Sequence, residues 1–419
     1  MSGTSAPNGT VGSDPTKAST GAPRPAVRRR RSRGPIYGAV AAVFVVVVLA
    51  GVGYSTNWYG LQKSSSLPAC SSGITLQGDG AQVAVPLMGA WTPAYHNQSN
   101  NEINYPGSGS GTGLSHFTSV AIDFAMTDDP LTPAERSALP GPALTLPFAG
   151  GALTIIYNLP GLSGHLNLTA EVLAKIYNGN ITSWNDSAIR AINPGVILPA
   201  QTIYTVHRSD PAGTTYVLTD LLSQTSPYWA TVYPKGIATK FPTAPLQTAV
   251  KGNSAVVSTV AANKYAIGYS DLTDVLEAAT PLQYAAIQNP AGNYIVPTIQ
   301  STVSAIADKL QSMKSIPTSA GDWFNVSMVN ANGTTDYPVA TFLYMFVYQA
   351  TDKGFAPSLA KSQVLIQWVG WAITTGQAYT DETTPTPLFY VPLPSAIVAT
   401  DQAGLRTMSY NGASIPSCK

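Results

Sequence analysis

A short stretch around Arg208 combines the residue types that bind oxyanions. The β-like run 202–206 precedes it, the turn residues of 210–213 follow, and apolar residues at helical spacing begin at Tyr216. The sequence therefore predicts an arginine at a strand end, directly before the first turn of a helix. That turn has unpaired N–H groups and a positive dipole end, and a guanidinium adds a forked donor. The alternative is a polar turn with a surface arginine.

A second candidate is the loop 107–113, which has glycine at every second position and carries Ser110. Missing side chains expose backbone N–H groups, which is typical of an anion nest. The spacing matches neither the dinucleotide fingerprint, nor the P-loop, nor the nucleophile elbow of hydrolases. The alternative is a flexible surface turn.

The third candidate is Asp128, at the end of the apolar run 122–126. An ionised carboxylate only accepts hydrogen bonds. A monoprotonated phosphate offers one O–H donor and sulfate offers none, so an aspartate in an anion site favours phosphate and repels sulfate. The alternative is a capping or turn aspartate.

Templates for catalysis are mostly absent. The four histidines are scattered, and the two cysteines stand at opposite ends of the soluble part. Neither pattern matches a zinc site. We expect no metal, no cofactor and no catalytic residue, and the sequence indicates binding instead of turnover.

The elements that must position these candidates repeat as strand, Gly- or Asp-rich turn, helix. This order is typical of an α/β fold with parallel strands, in which ligands collect beyond the carboxyl ends of the strands. The turns at Gly78, Ser110, Asp128 and Arg208 all occupy that place. The segment Thr132 to Glu135 has the pattern of a helix-capping box.

Composition restricts the function classes. Charged residues make up 10% of the 419 residues, and the formal net charge of +1 argues against a nucleic-acid partner.

The amino-terminal part differs from the rest of the chain. An arginine cluster around 28–33 precedes the uncharged apolar run that begins at Ile36. We predict a disordered cytoplasmic tail over 1–35, a transmembrane anchor over 36–54, and a linker over 55–73. The remainder would be extracytoplasmic. A cleaved signal peptide is the main alternative, and 67–70 faintly resembles a lipoprotein cleavage site.

Two further features fit an exported chain. Cys70 and Cys418 bracket the soluble part and could pair or remain separate thiols. Several Asn-x-Ser/Thr sequons fit a glycoprotein: Asn97, Asn167, Asn180, Asn185, Asn325 and Asn332.

Three separated motifs together resemble one family. They are 105–111 (Tyr-Pro-Gly-Ser-Gly-Ser-Gly), 123–128 (Asp-Phe-Ala-Met-Thr-Asp) and 207–214 (His-Arg-Ser-Asp-Pro-Ala-Gly-Thr). Their residues and order resemble the phosphate-binding protein of the phosphate-specific ABC transporter. Further segments extend the resemblance over nearly all of 74–405: 177–186, 193–199, 266–269 and 390–394.

The resemblance implies a type II periplasmic-binding-protein fold of two lobes, each with a central, mostly parallel sheet flanked by helices. Lobe I would comprise 74–149 and 335–412, and lobe II 150–334. Phosphate would lie in the cleft, and an ABC permease would be the partner.

The resemblance also implies roles for individual residues. Ser110 and Thr214 would donate hydroxyls, and Gly213 a backbone N–H. Arg208, oriented by Asp210, would pair with the anion. Asp128 would accept the phosphate proton.

Two departures from the family pattern fall in the site. Gln82 and Val83 replace the hydroxyl residue and the phenylalanine that follow the first glycine turn, and Ala212 replaces a serine. One hydroxyl donor is therefore lost and another is exchanged for an amide, so affinity or the preferred anion could differ. An extracytoplasmic phosphatase or phosphoesterase, and a phosphate sensor without a transport role, remain alternatives.

Overall fold

The structure is a computed structural model that describes residues 70–418 except 234, 239, 355, 357 and 381–387. The predicted tail, the anchor over 36–54 and most of the predicted linker lie outside the described residues. Among those that are described, none of the helices combines the length and apolar character needed to cross a membrane.

The strands are short except for two long ones, β4 and β12. In chain order they are β1 Thr75–Gly80, β2 Glu102–Asn104, β3 Phe124–Thr127, β4 Ala143–Tyr157, β5 Asn167–Leu168, β6 Tyr204–Arg208, β7 Gln247–Val250, β8 Ala266–Asp271, β9 Gln283–Tyr284, β10 Ala286–Gln288, β11 Tyr294–Ile295, β12 Ala340–Tyr348, β13 Ser409–Tyr410 and β14 Ala413–Ser414.

The helices lie between these strands. They are α1 Val85–Ser99, α2 Ser110–Thr118, α3 Pro133–Ala138, α4 Ala170–Tyr177, α5 Ser187–Ala191, α6 Gly213–Thr225, α7 Pro227–Val232, α8 Asn253–Ala262, α9 Leu272–Leu276, α10 Ile299–Ser312, α11 Leu359–Ala372 and α12 Ser395–Leu405. Thr132 and Glu135 close the predicted capping box at the start of α3.

One large sheet connects the described part of the chain, in the order β2-β1-β3-β12-β4-β8-β6-β7. The amino-terminal part of β4 pairs with β12 and its carboxyl-terminal part pairs with β8. The β1–β2, β1–β3, β6–β7 and β6–β8 pairs are parallel, as the alternation of strands and helices predicts.

The prediction of two mostly parallel sheets is wrong at the centre of this sheet. Both β4 and β12 run antiparallel to their neighbours, which makes the sheet mixed. Every residue of both strands is buried. A continuous apolar run identifies such a buried strand but carries no information about its direction.

Hydrophobic residues form two large cores along this sheet. The first core surrounds Trp91 and Trp368, and the second core surrounds Tyr157 and Tyr269. Helix α10 packs on the first core through Ile306, although its sequence position falls within the predicted lobe II. Strand β4 contributes residues to both cores and so holds them in one fold.

A disulfide between Cys70 and Cys418 joins the two ends of the described chain, with their Cα atoms 4.9 Å apart. The pair closes a loop of 348 residues in sequence separation. Closing so long a loop removes much conformational freedom from the unfolded chain, so the bond stabilises the fold mainly by that route in the chain-entropy model.

Candidate functional site

Arg208 is the last residue of β6, and its guanidinium lies inside the protein with 6% of the residue exposed. Its Nε and Nη2 atoms donate to the two carboxylate oxygens of Asp210, at 2.8 and 2.5 Å. This bidentate pair fixes the plane of the guanidinium.

Burial disfavours the charge of Arg208, but the hydrogen bond and the charge of Asp210 outweigh it and raise the arginine pKa. Burial likewise disfavours the Asp210 charge, but Arg208 outweighs it and lowers the pKa of Asp210. Both groups therefore stay charged.

The other end of the guanidinium points toward α6 and α8. Its Nη1 atom donates to Thr214 Oγ1 at 3.3 Å and to Asn253 Oδ1. Arg208 is thus held at both ends. The orientation of its guanidinium is fixed by Asp210 on one side and by Thr214 and Asn253 on the other.

Three helix N-termini meet around this arginine and the turn that follows it: α6 and α8 contact Arg208, and α2 contacts the turn. Their N-cap residues are Gly109, Ala212 and Gly252, and none of the three supplies a side-chain cap. First-turn N–H groups of a helix need acceptors and carry partial positive charge, so an anion is a suitable common partner.

The first turns of α2 and α6 touch. Gly213 N donates to Ser110 Oγ at 3.3 Å, and Gly111 N donates to Pro211 O at 3.4 Å. Ser110 and Thr214 are both buried, with 3% and 2% of their surface exposed. The glycine loop predicted as an anion nest therefore lies against the arginine turn, and it forms the start of a helix.

Asp128 follows β3 and packs directly on Gly213. A Cβ atom on Gly213 would lie 2.4 Å from the Asp128 Cγ, so only glycine allows this approach. Burial raises the pKa of Asp128 to about 7, against the opposing charge of Arg208 and with a further increase from Asp274. Near neutral pH this carboxyl can therefore either accept or donate a hydrogen bond.

Gln82 and Val83 occupy a 3-10 turn after β1. The Gln82 Oε1 atom accepts from the backbone N–H of Asn253 at 2.8 Å, so it supplies the cap that α8 lacks locally. The carbonyl oxygen of the buried Val83 accepts from the Tyr390 hydroxyl at 2.5 Å. Gln82 thus reaches the site through α8, whereas Val83 makes no described contact with the other predicted site residues.

Sequence reasoning missed three residues at the site: Asn253 and Asp271, which are buried, and Asp274, which is half-buried. Asn253 Nδ2 donates to Asp271 Oδ2 at 2.7 Å and to Asp274 Oδ2 at 2.9 Å. The available signal was the Gly-Asn-Ser start of α8 and an aspartate at the end of β8. These features predict a cap and a turn, but they do not reveal the contact with Arg208 across 45 residues of sequence.

The described residues include no group of three or more histidine, cysteine, aspartate or glutamate side chains arranged to hold a metal ion. The chemistry of this site consists of a buried cation paired with Asp210, helix N-termini, hydroxyls and carboxyls of raised pKa, of which Asp128 packs on Gly213. Such a set can bind a tetrahedral oxyanion that carries a proton.

Comparisons with known proteins identify the family of the chain. The family model of the PBP superfamily domain matches residues 62–373. The phosphate-binding protein PstS of Pasteurella multocida is 33% identical over 337 residues, which cover 80% of this chain and 90% of that protein. The chain belongs to the PstS family of the PBP superfamily.

Other comparisons extend this assignment. PstS of Xylella fastidiosa is 32% identical over 332 residues, covering 78% of this chain and 83% of that protein. The crystal structure of a phosphate-binding protein from Stenotrophomonas maltophilia aligns with a TM-score of 0.58 at 17% identity, covering 79% of this chain and 93% of that one. At that identity the structural likeness establishes the fold alone, and that fold is the one described above.

Proposed function

We propose that this PstS-family chain is an extracytoplasmic receptor that binds inorganic phosphate and delivers it to the permease of an ABC importer. The observation that carries the proposal is the meeting of three helix N-termini, none with a side-chain cap from its own N-cap residue, around Arg208 and the turn that follows it. Phosphate would bind at this point because the first-turn N–H groups and the guanidinium direct their donors toward a common centre.

The proposed ligands are the residues gathered there, together with the backbone of Val83 beside Gln82. Arg208, oriented by Asp210, pairs with the anion. Ser110 and Thr214 donate hydroxyls, and the backbone N–H groups at Gly213 and at Val83 donate from two sides. Gln82 contributes through its amide nitrogen, because its oxygen is already engaged by Asn253.

Asp128 is proposed as the group that distinguishes phosphate from sulfate. As a carboxylate it accepts the O–H of a monoprotonated phosphate, and it leaves sulfate facing an acceptor with no donor between them. Burial strengthens this discrimination, since neither oxygen can turn to water.

Closure of two lobes is part of the proposal. The Ser110–Gly213 hydrogen bond joins segments whose neighbours belong to the first and second cores. The Gln82–Asn253 hydrogen bond joins the first core to a smaller cluster around Val256. We propose that 74–149 with 335–412, and 150–334 without α10, which packs on the first core, move as lobes about the long strands to admit and release the ion. An uncleaved anchor over 36–54 would keep the receptor beside its permease.

Isothermal titration of the full chain in detergent tests the binding step. Phosphate is expected to bind at one site with an affinity at least about a hundredfold above that of sulfate, as for a site built around a substrate O–H. Absence of heat with phosphate, or equal binding of sulfate, contradicts the proposal. Hydrolysis of a chromogenic phosphomonoester that is lost in Asp128→Asn would favour the phosphatase alternative.

A further inference from the structure

Asn253 makes hydrogen bonds to several residues of the site. Its backbone N–H donates to Gln82 at 2.8 Å, and its Oδ1 accepts from Arg208 Nη1. Its Nδ2 donates to Asp271 and Asp274. The residue is 2% exposed, and its partners Arg208 and Asp271 are also buried, so water does not compete for those two contacts.

The orientation of this amide follows from its partners. A guanidinium only donates, so the side facing Arg208 must be the oxygen. A carboxyl oxygen accepts in either protonation state, so the side facing Asp271 and Asp274 must be the NH2 group. Turning the amide over would set donor against donor at Arg208, and the network therefore allows a single arrangement.

Asp271 and Asp274 lie close together on the far side of the amide. Their Oδ2 atoms are 2.7 and 2.9 Å from the same nitrogen, so they are no more than about 5.6 Å apart. Asp271 is 4% exposed. Asp274 is half-buried. Two carboxylates this close disfavour each other's ionisation, so they titrate as a pair.

The charges that face this pair do not supply a free cation. Arg208 is already paired with Asp210. The other titratable groups with electrostatic influence on the pair or its surroundings are acidic or neutral: Asp128, Glu277 and Tyr390. Burial raises the pKa of Asp271 well above its usual range, and burial raises that of Asp274 to about 6.

We propose that Asn253 is a positioning residue that fixes the Nη1 end of Arg208 and couples it to the Asp271–Asp274 pair, so that capture of a dianion takes up a proton. The inference rests on the proposed function, because phosphate is the dianion. The dianion arrives at Arg208, a proton from solvent joins a carboxylate of the pair, and the added negative charge is partly offset. No bond other than that O–H forms.

The expected consequence is a steeper pH dependence of binding than the ligand and Asp128 alone would produce. A dianion favours the protonated form of the pair, and by linkage the protonated pair favours the dianion. Affinity then rises as the pH falls through the range in which the pair titrates in the free and bound states.

The test is isothermal titration of the full-length chain with phosphate, at about pH 7 and about pH 8, in buffers of different ionisation enthalpy. The slope of heat against buffer enthalpy counts the protons taken up. The variants are Asp274→Asn, which keeps size and an acceptor, and Asn253→Ala. Asp401→Asn is the matched control, since Asp401 is also buried with a raised pKa but hydrogen-bonds Ser319 and not the site.

The wild type and Asp401→Asn should take up the same number of protons, and Asp274→Asn should take up fewer by roughly half a proton to one. From pH 7 to 8, the wild-type Kd should rise more steeply than that of Asp274→Asn, by up to about tenfold. Asn253→Ala should bind at least about tenfold more weakly and lose the same proton linkage.

The outcomes separate the two proposals. If the wild type gives no heat with phosphate, the proposed function is wrong. If it binds phosphate while Asp274→Asn and Asn253→Ala keep the wild-type proton number and pH slope, the receptor proposal stands and this inference is overturned. A loss of stability in Asn253→Ala with unchanged proton uptake would give Asn253 a structural role only.

Discussion

Replacing Gly213 with alanine tests the packing on which the site depends. Gly213 is the first residue of α6, and a Cβ atom there would lie 2.4 Å from Asp128 Cγ and 2.6 Å from its Oδ1. Carbon atoms in ordinary contact are about 3.5–4.0 Å apart. The side chain of Asp128 or the start of α6 must therefore move by about 1 Å.

The magnitude of the effect follows from that displacement. Forcing an extra methyl group into a packed interior costs about 1–3 kcal/mol of stability. Misplacing a preorganised site by about 1 Å weakens it by about a hundredfold. We expect Gly213→Ala to raise the Kd for phosphate by about 10- to 100-fold, and to lower the free energy of unfolding by about 1–3 kcal/mol.

Gly89→Ala provides the matched control. Gly89 is exposed within α1, and a Cβ atom there would meet no heavy atom within 4 Å. Alanine in a helix interior is more favourable than glycine by about 0.5–1 kcal/mol, so this variant should be slightly more stable with unchanged binding. Urea unfolding and phosphate titration of both variants decide the matter. Equal phosphate affinity in Gly213→Ala and Gly89→Ala would refute the reasoning about Asp128.

Three further outcomes are expected. Asp128→Asn should reduce the preference for phosphate over sulfate by at least about tenfold in competition titrations, since an amide can donate to sulfate. In the wild type, sulfate binding should strengthen as the pH falls below about 7, where Asp128 is protonated. The free energy of unfolding without ligand should fall as the pH rises from about 4 to 7. The raised pKa values of Asp128 and Asp274 mean that the folded state binds more protons than the unfolded state in this range. Asp274→Asn should flatten this slope in urea unfolding at several pH values. Reduction of the disulfide between Cys70 and Cys418, which are 348 residues apart, should lower the free energy of unfolding by roughly 3–5 kcal/mol, and mild reductant during urea unfolding measures the change.

Much of the site could be predicted because its parts are local. The strand before Arg208, the turn and the following helix are encoded by consecutive residues, and β6 and α6 are found there. The capping box of Thr132 and Glu135 is local in the same sense. Parallel strands bring their carboxyl ends together, so candidates at several strand ends were expected to meet, and Ser110 and Gly213 do meet.

What could not be predicted depends on long-range packing. Asn253 reaches Arg208 because β7, which pairs with β6, leads directly into α8, and no local pattern records that contact. The amide oxygen of Gln82 caps α8 across 171 residues, although its position suggested a direct ligand. The direction of β4 and β12 also depends on pairing, which a run of buried residues leaves undetermined.

The most direct measurement of the central claim is a crystal structure of the full chain grown with phosphate. The account predicts one ion at the meeting point of α2, α6 and α8, with oxygens within about 3 Å of the Arg208 guanidinium, the Thr214 hydroxyl and a carboxyl oxygen of Asp128. An ion bound elsewhere, or one that touches Arg208 while Asp128 hydrogen-bonds only to protein, would contradict it.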